Sequence, residues 1–245
     1  LREARFLNFP RMLLGSNCHV SGTGFLISAD VIRENGGWPY HLLTEDIEFS
    51  VSCALKGRRI GYCDKAVIYD EQPTAFRQSW DQRLRWSKGF YQVNANYSGD
   101  LVRGFCQKPS WKSWSCYDMF MTLAPATLLS IGCILLNLIF LAYGATDVHM
   151  LRRILPGTLG SIAFAGVNFY LLMFSIGFIT LVTEWNKILA PANKKIKSLF
   201  TFPLFMITYV PISLVALVKK VEWKPIAHSI SKSVEEIELQ QQANK

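Results

Sequence analysis

The chain has 245 residues, 50% of them hydrophobic, and a formal net charge of +8. This length suffices for one sizeable domain or two small ones. The positive charge does not indicate a nucleic-acid-binding protein, because no basic-aromatic recognition motif accompanies it and many Lys residues lie beside apolar runs. Charge in that position is typical of the flanks of membrane segments, so we expect membrane lipids and not nucleic acid as a partner.

Cysteine spacing argues against a structural metal site. The six cysteines form no CxxC pair and no other spacing typical of metal ligands. We expect reduced thiols, because the domain that holds most of them is predicted to be cytosolic. The cysteines are Cys18, Cys53, Cys63, Cys106, Cys116 and Cys133.

The first hundred residues mix charged and apolar positions, as a soluble α/β domain does. Helices are indicated by apolar spacing, by Ser28 and Thr44 as N-caps and by glycines after the helix ends. Strands are indicated by short β-rich runs, one of which contains Gly22-Thr23-Gly24. The predicted elements are an amphipathic helix over 1–14, a strand over 20–27, short helices after Ser28 and Thr44, one or two strands over 59–69, and a helix over about 74–91.

The second half of the chain is dominated by uncharged runs long enough to cross a membrane. We predict a domain over 1–115, a transmembrane region over 116–220 with helices at about 117–143 and 157–183, and a polar cytoplasmic tail over 221–245. A third apolar run, 199–218, contains Pro203 and Pro211, and we favour a segment that does not simply cross.

Basic residues predict the orientation of these segments. The N-terminal domain and the 187–197 loop are both basic, which predicts that both are cytoplasmic. The loop over 144–156 would then face outside although it carries Arg152 and Arg153. This position conflicts with the usual distribution of basic residues. Overall, the sequence predicts a multi-pass protein of the cell membrane.

Two acidic residues, Glu45 and Asp46, follow Thr44 at a predicted helix start. Acidic side chains in a first helical turn complement the helix dipole, and this alone explains their presence. A carboxylate in this position is also suited to act as a general base. The spacing leaves both interpretations open.

A second cluster lies on one face of the predicted helix over 74–91. Gln82, Arg85, Trp86 and Gly89 follow the spacing i, i+3, i+4 and i+7. A Gln and an Arg on one face can hold phosphate oxygens, and a Trp offers a flat surface to a sugar or base. A solvated basic face with a buried Trp explains the pattern equally well.

These residues carry a resemblance to a known family. The motifs Ser21-Gly22-Thr23-Gly24-Phe25, Thr44-Glu45-Asp46 and Gln82-Arg83-Leu84-Arg85-Trp86, in this order and before membrane segments, resemble the second half of a membrane-integrated family 2 glycosyltransferase. That group includes the cellulose, chitin, hyaluronan and poly-N-acetylglucosamine synthases. The resemblance implies an α/β GT-A-type catalytic half-domain followed by a transmembrane α-helical region.

The resemblance also implies roles for single residues. Asp46 would deprotonate the acceptor hydroxyl during inverting sugar transfer, with Glu45 as its neighbour. The donor would be a nucleotide-sugar, most simply a UDP-sugar, and the acceptor a glycan or lipid. Gln82, Arg85 and Arg83 would bind the donor diphosphate, while Trp86, Gly22, Thr23 and Gly24 would line the acceptor side.

The sequence departs from the family pattern at the donor site. Family members bind the donor and a divalent metal, Mg or Mn, through an Asp-x-Asp motif upstream of the TED motif, and this chain has no Asp-x-Asp. We therefore expect the metal ligands outside this chain and the chain to be a piece of a longer protein. We expect no turnover from these 245 residues alone.

Two alternatives to polysaccharide synthesis remain open. A transferase that glycosylates a lipid and releases it would need fewer spans than an enzyme that feeds a growing polymer through a channel. A non-enzymatic transport subunit is the alternative from another class. It predicts charged residues within the spans, and the apolar runs have none at mid-span.

Overall fold

The computed structural model describes residues 3–68, 70–123 and 125–223, together with 233, 235, 236 and 239. A π-helical turn, Ala4–Asn8, leads into the α-helices of the chain. In order these are α1 (Phe9–Leu13), α2 (Ala29–Glu34), α3 (Glu45–Leu55), α4 (Phe76–Phe105), α5 (Trp111–Leu123), α6 (Pro125–Gly144), α7 (Val148–Thr183), α8 (Ala192–Ile207) and α9 (Tyr209–Val218).

The chain forms two compact units. The first takes the residues up to Pro125 and a later segment that begins at Val210, and the second takes Ala126–Tyr209. Helices α3, α4 and α5 form the main core of the first unit. Its buried side chains are Ile47, Val51, Ala54, Val93, Leu101, Cys116, Met119 and Leu123.

Local signals place the short helices correctly. Ser28 caps α2 by accepting a hydrogen bond from the Asp30 N–H, and Thr44 is the N-cap residue of α3. Gly57 follows α3 with φ of +67°, and the Arg58 N–H returns to the Cys53 carbonyl at 2.8 Å. This 6→1 bond is a Schellman ending, which a glycine with positive φ permits.

The predicted strands are absent from the described residues, so the α/β prediction is not supported there. The segments around Cys18 and Ile60 run side by side and share one backbone bond, from the Cys18 N–H to the Ile60 carbonyl. Next to it, the Asn17 side chain accepts from the Ile60 N–H and donates to the Arg58 carbonyl, each at 2.9 Å. A side-chain amide therefore meets backbone groups that a neighbouring strand would satisfy. Tyr69, the end of the second predicted strand, lies outside the described residues.

Helix α4 is longer than predicted, extending to Phe105 instead of Tyr91. Val93, Leu101 and Gly104 continue its buried side. A Cβ on Gly104 would lie 2.7 Å from the Cys116 Sγ. This glycine therefore permits the close approach of α4 and α5.

The apolar run predicted to span the membrane over 117–143 is divided between two helices. Its first part belongs to α5, which packs in the first unit. Asp118, the charge in this part, forms an ion pair with Arg11 at 2.9 Å and accepts a hydrogen bond from Ser16 at 2.7 Å. The remainder of the run lies in α6, where Gly132–Gly144 is an apolar helical stretch shorter than the two candidate spans.

In the described residues, two helical stretches are long and apolar enough to cross a membrane, Val148–Thr183 and Ala192–Val218. Residues 148–156, predicted as loop, are helical because Asp147 caps α7 by accepting from the His149 N–H at 2.8 Å. In the second unit α7 packs against α8, and a Cβ on Gly177 would lie 3.3 Å from the side chains of Leu199 and Phe202. The predicted tail over 221–245 falls mostly outside the described residues.

Helix α9 closes the first unit on one side of α4. Leu84 packs with Ile212 and Ala216, and the Tyr91 hydroxyl donates to the Ser213 carbonyl at 3.1 Å. The Lys88 ammonium donates to the Ala216 carbonyl at 3.0 Å and to the Leu217 carbonyl at 3.4 Å. These are among the last carbonyls of α9, which lack partners within the helix and carry its negative dipole end.

Replacing Lys88 by Met should destabilise the first unit, because it removes the cation that caps α9. We expect a loss of about 0.3–1 kcal/mol in the free energy of unfolding, seen as a lower thermal midpoint of the purified protein. Lys108→Met is the matched control, because Lys108 is exposed. Equal losses in both variants would show that the cap contributes nothing specific.

Candidate active site

The TED motif forms the start of α3. Thr44 is 4% exposed, and its hydroxyl has no hydrogen-bond partner in the part of the chain that the structure describes. Its carbonyl accepts the Glu48 N–H at 3.0 Å, the first bond of the helix. Glu45 and Asp46 follow in the first turn and are both partly exposed. The start of α3 therefore offers accessible carboxylates directly after Thr44, which is held in place by burial.

Asp46 faces the glycine-rich segment that the sequence assigned to the same site. Its carboxylate accepts a hydrogen bond from the Ile47 N–H at 2.8 Å and another from the Gly22 N–H. A Cβ on Gly22 would lie 3.6 Å from the Asp46 Oδ2. The structure therefore brings Gly22 and Asp46 together. Thr23 and Gly24 are exposed beside them.

The environment of Asp46 makes it a better base than a free aspartate. Burial raises the pKa of this carboxyl, and the neighbouring charge of Glu45 raises it further. The hydrogen bonds from the N–H groups of Ile47 and Gly22 oppose the rise in pKa without cancelling it. A carboxylate with a raised pKa takes a proton more readily than an ordinary one.

Gly89 brings the face of α4 directly against the TED motif. A Cβ on Gly89 would lie 2.5 Å from the Thr44 Cγ2 and 2.6 Å from its Oγ1. Since real Cβ atoms do not approach so closely, only glycine fits the present spacing of α4 and Thr44. Arg85 and Trp86 lie one turn before Gly89 on the same face of the helix. The two clusters that the sequence singled out thus meet through this contact.

The side chains on this face of α4 are available to a ligand. Gln82, Arg85 and Trp86 are each partly exposed. In the described ranges, neither Gln82 nor Arg85 has a hydrogen bond or an ion pair with another side chain. An amide and a guanidinium that are half-buried and uncommitted can bind an anionic ligand at little structural cost.

Arg83 is placed differently from the other residues of its motif. Its side chain is 2% exposed, its Nε donates to the Ser79 carbonyl at 3.1 Å, and its guanidinium lies 5.8 Å from the centre of the Phe76 ring. The structure therefore does not group Arg83 with Gln82 and Arg85. Its predicted contact with the donor diphosphate stays a prediction.

Comparison with known proteins agrees with these motifs. The model of the glycosyl transferase family group 2 matches residues 5–218. The chain belongs to this family.

Individual relatives cover only part of the chain. It is 29% identical over 145 residues to the probable glycosyltransferase YdaM of Bacillus subtilis, covering 59% of this chain and 33% of the relative. It is 30% identical over 105 residues to the poly-beta-1,6-N-acetyl-D-glucosamine synthase of Staphylococcus aureus strain COL, covering 43% and 24%. It is 26% identical over 103 residues to the beta-monoglucosyldiacylglycerol synthase of Synechocystis, covering 42% and 21%. The matched part is thus a third or less of these relatives. No solved structure matches.

Two further residues hold the loop before the TED motif, and the sequence did not reveal them. Glu48 is buried and accepts the N–H groups of His41 and Leu42 at 3.0 and 3.1 Å. It also accepts the Tyr97 hydroxyl at 2.8 Å, and burial together with this contact raises the pKa of Tyr97 to about 12. From α4, Gln92 accepts the Leu43 N–H at 3.3 Å. The sequence analysis did not place Gln92 and Tyr97 near the TED motif, because the predicted helix ended at Tyr91 and the observed helix continues to Phe105.

The residues at this site do not form a metal centre. Among the described residues, no group of three or more His, Cys, Asp or Glu side chains could hold a metal ion. Glu45 and Asp46 supply only two carboxylates at the start of α3. The Mg or Mn requirement of the full enzyme stays a prediction.

Proposed function

We propose that this chain carries the acceptor side of an inverting glycosyltransferase that moves a sugar from a nucleotide-sugar to a hydroxyl of a glycan or glycolipid. The reaction would take place at the cytoplasmic face of the cell membrane in the full protein, and polysaccharide synthesis is the favoured outcome. The basic residues of the 187–197 loop and the two apolar stretches support this location.

The proposed reaction is a direct displacement at the anomeric carbon. The Asp46 carboxylate takes the proton of the acceptor hydroxyl while its oxygen forms the new glycosidic bond. The bond from the anomeric carbon to the diphosphate breaks on the opposite face, which inverts the configuration. Gln82 and Arg85 stabilise the negative charge that develops on the diphosphate, and Trp86 contacts the acceptor sugar.

The contact between Gly89 and Thr44 is the observation that carries this proposal. It supports a site in which the start of α3, with its carboxylate, and the face of α4, with its amide, guanidinium and indole, flank one ligand. General-base catalysis at a sugar requires these two sets of groups to flank one reacting carbon. Family membership favours such an enzyme over a transport subunit.

A lipid acceptor is the second candidate, and the similarity to a beta-monoglucosyldiacylglycerol synthase supports it. The similarity to a poly-beta-1,6-N-acetyl-D-glucosamine synthase supports a polymer product. Membranes that contain the full gene product, supplied with radiolabelled UDP-sugars, would distinguish them. A lipid product is extracted into organic solvent, whereas a polymer stays in the aqueous phase and is large.

Replacing Trp86 by Ala should impair use of the acceptor more than reaction of the donor with water. The indole supplies a flat surface for the acceptor sugar, and stacking on such a surface contributes about 0.5–1.5 kcal/mol. We therefore expect the KM for the acceptor to rise about two- to tenfold, while donor hydrolysis stays within about twofold. Equal losses in transfer and hydrolysis would mean that Trp86 only supports the packing of α4.

A further inference from the structure

Two arginines near the start of α7 have no role in the proposed reaction. Arg152 and Arg153 lie in the second turn of α7, and every residue from Ile154 to Thr183 is uncharged. Among the described residues neither arginine forms an ion pair. The position thus holds positive charge that the chain itself does not neutralise.

Arg153, unlike Arg152, lines a cavity between α6 and α7. The cavity has a volume of about 430 Å³, within the range of about 300–1,000 Å³ that is usual for ligand sites. Beyond Arg153 its lining is mainly apolar, with Leu136, Phe140 and Ile154 among its walls. A cation at one end of an apolar groove fits a ligand that is anionic at one end and apolar along its length.

The ends of the groove are defined by contacts between the two helices. Near the α6–α7 turn, a Cβ on Gly144 would lie 3.5 Å from the Leu151 Cα and from the Ile154 Cδ1. Deeper along α7, the Ser161 hydroxyl donates to the side-chain Oδ1 of Asn137 at 3.4 Å. Arg153 and Ser161 are eight residues apart on α7, which corresponds to about 12 Å along the helix. The groove therefore extends from the charged Arg153 into the uncharged part of α7.

We propose that this groove binds an anionic phospholipid, with the phosphate on Arg153 and an acyl chain between α6 and α7. The guanidinium pairs with phosphate oxygens in bidentate geometry, and basic pockets between membrane helices are known to hold anionic headgroups. Binding of this kind also accounts for Arg153, a cation in a segment that the charge distribution would place outside. A free phosphate would leave the apolar walls without a ligand.

The test uses the full gene product in nanodiscs that contain phosphatidylglycerol or phosphatidylcholine. Native mass spectrometry after detergent exchange measures the lipid that remains bound. We expect Arg153→Gln to retain about fivefold less phosphatidylglycerol than the wild type, with little change for phosphatidylcholine. Arg152→Gln is the matched control, because it removes the same charge one residue away and outside the groove. It should retain phosphatidylglycerol as the wild type does.

Cys133 reports on the groove itself, because it lies in the lining and is exposed. Phosphatidylglycerol should slow its labelling by a lipid-soluble maleimide in the wild type and not in Arg153→Gln, while the exposed Cys106 of the first unit stays unchanged. Equal lipid retention in the two arginine variants would overturn the proposal. So would protection by inorganic phosphate alone, or a Cys133 that is unreactive in both lipids because protein covers the groove.

Discussion

Replacing Asp46 by Asn should lower sugar transfer by about 10²–10⁴-fold, the usual contribution of a general base. Asparagine keeps the shape of the side chain and an oxygen for the Ile47 N–H, whose bond is 2.8 Å long, but it cannot take the acceptor proton. The measurement is the turnover of the full gene product in membranes, normalised to the amount of inserted protein. Asp81→Asn is the control, since Asp81 is exposed on α4. It should stay within about twofold of the wild type.

The pH profile separates a catalytic role of Asp46 from a structural one. Burial raises the pKa of this carboxyl, and the base must be ionised to act. The acid limb of kcat/KM should therefore lie above the pKa of about 3.9 of an ordinary aspartate. The stability has the opposite dependence, because the folded state holds the proton more tightly. The free energy of unfolding should fall as pH rises from the unfolded pKa through the raised folded pKa. Asp46 would be excluded as the titrating base if the acid limb of the wild-type kcat/KM profile lay at the pKa of an ordinary aspartate. It would also be excluded if the acid limb were unchanged in Asp46→Asn.

Replacing Gly89 by Ala should separate α4 from the TED motif and impair both stability and turnover. The new methyl group would lie 2.5 Å from the Thr44 Cγ2, so that one of the two elements must move. Overpacking of this kind costs about 1–3 kcal/mol. A displacement of about 1 Å at a site where groups must be aligned costs about 100-fold in rate. Thermal unfolding and transfer assays measure the two effects.

Gly99 gives the matched control on the same helix. A Cβ there meets no atom within 4 Å, so Gly99→Ala should stabilise α4 by about 0.5–1 kcal/mol. A double variant with Thr44→Ala removes the two closest atoms of the contact. If that contact causes the defect, the losses of Gly89→Ala and Thr44→Ala are not additive. A Gly89→Ala protein that behaves like Gly99→Ala would contradict the proposed alignment.

Local chemistry explains which parts of the fold the sequence could predict. The helix start at Ser28 and the ending at Gly57 depend on hydrogen bonds within a few residues and can be predicted from the chain. Helix α3 begins after Thr44 as predicted, although the Thr44 side chain forms no capping bond. The predicted strands depended on partners elsewhere. The side chain of Asn17 takes the place of such a partner beside Ile60. No sequence pattern in the extended segments indicates that the Asn17 side chain takes the place of a neighbouring strand.

The candidate site shows the same division. The spacing of Gln82, Arg85 and Trp86 follows from helix geometry and places them on one face without further information. The position of the Arg83 guanidinium depends on the neighbouring Phe76 ring. The hydrogen bonds of Glu48 depend partly on Tyr97, which lies far along the chain on α4. The sequence also places Gly89 on this face. The reason that a glycine is needed there is apparent only from the structure, in which Thr44 packs directly against it.

The contribution of α9 to the first unit has a consequence for how the protein is made. Leu84 and Tyr91 pack against a helix that is synthesised only after residues 126–208, which belong to the second unit. Since ribosomes add roughly 5–20 residues per second, α4 waits several seconds for this partner. During that interval its apolar side needs a temporary cover such as a chaperone. For the same reason, a fragment cut off before the first apolar run would lack part of its own core and would be a poor choice for expression.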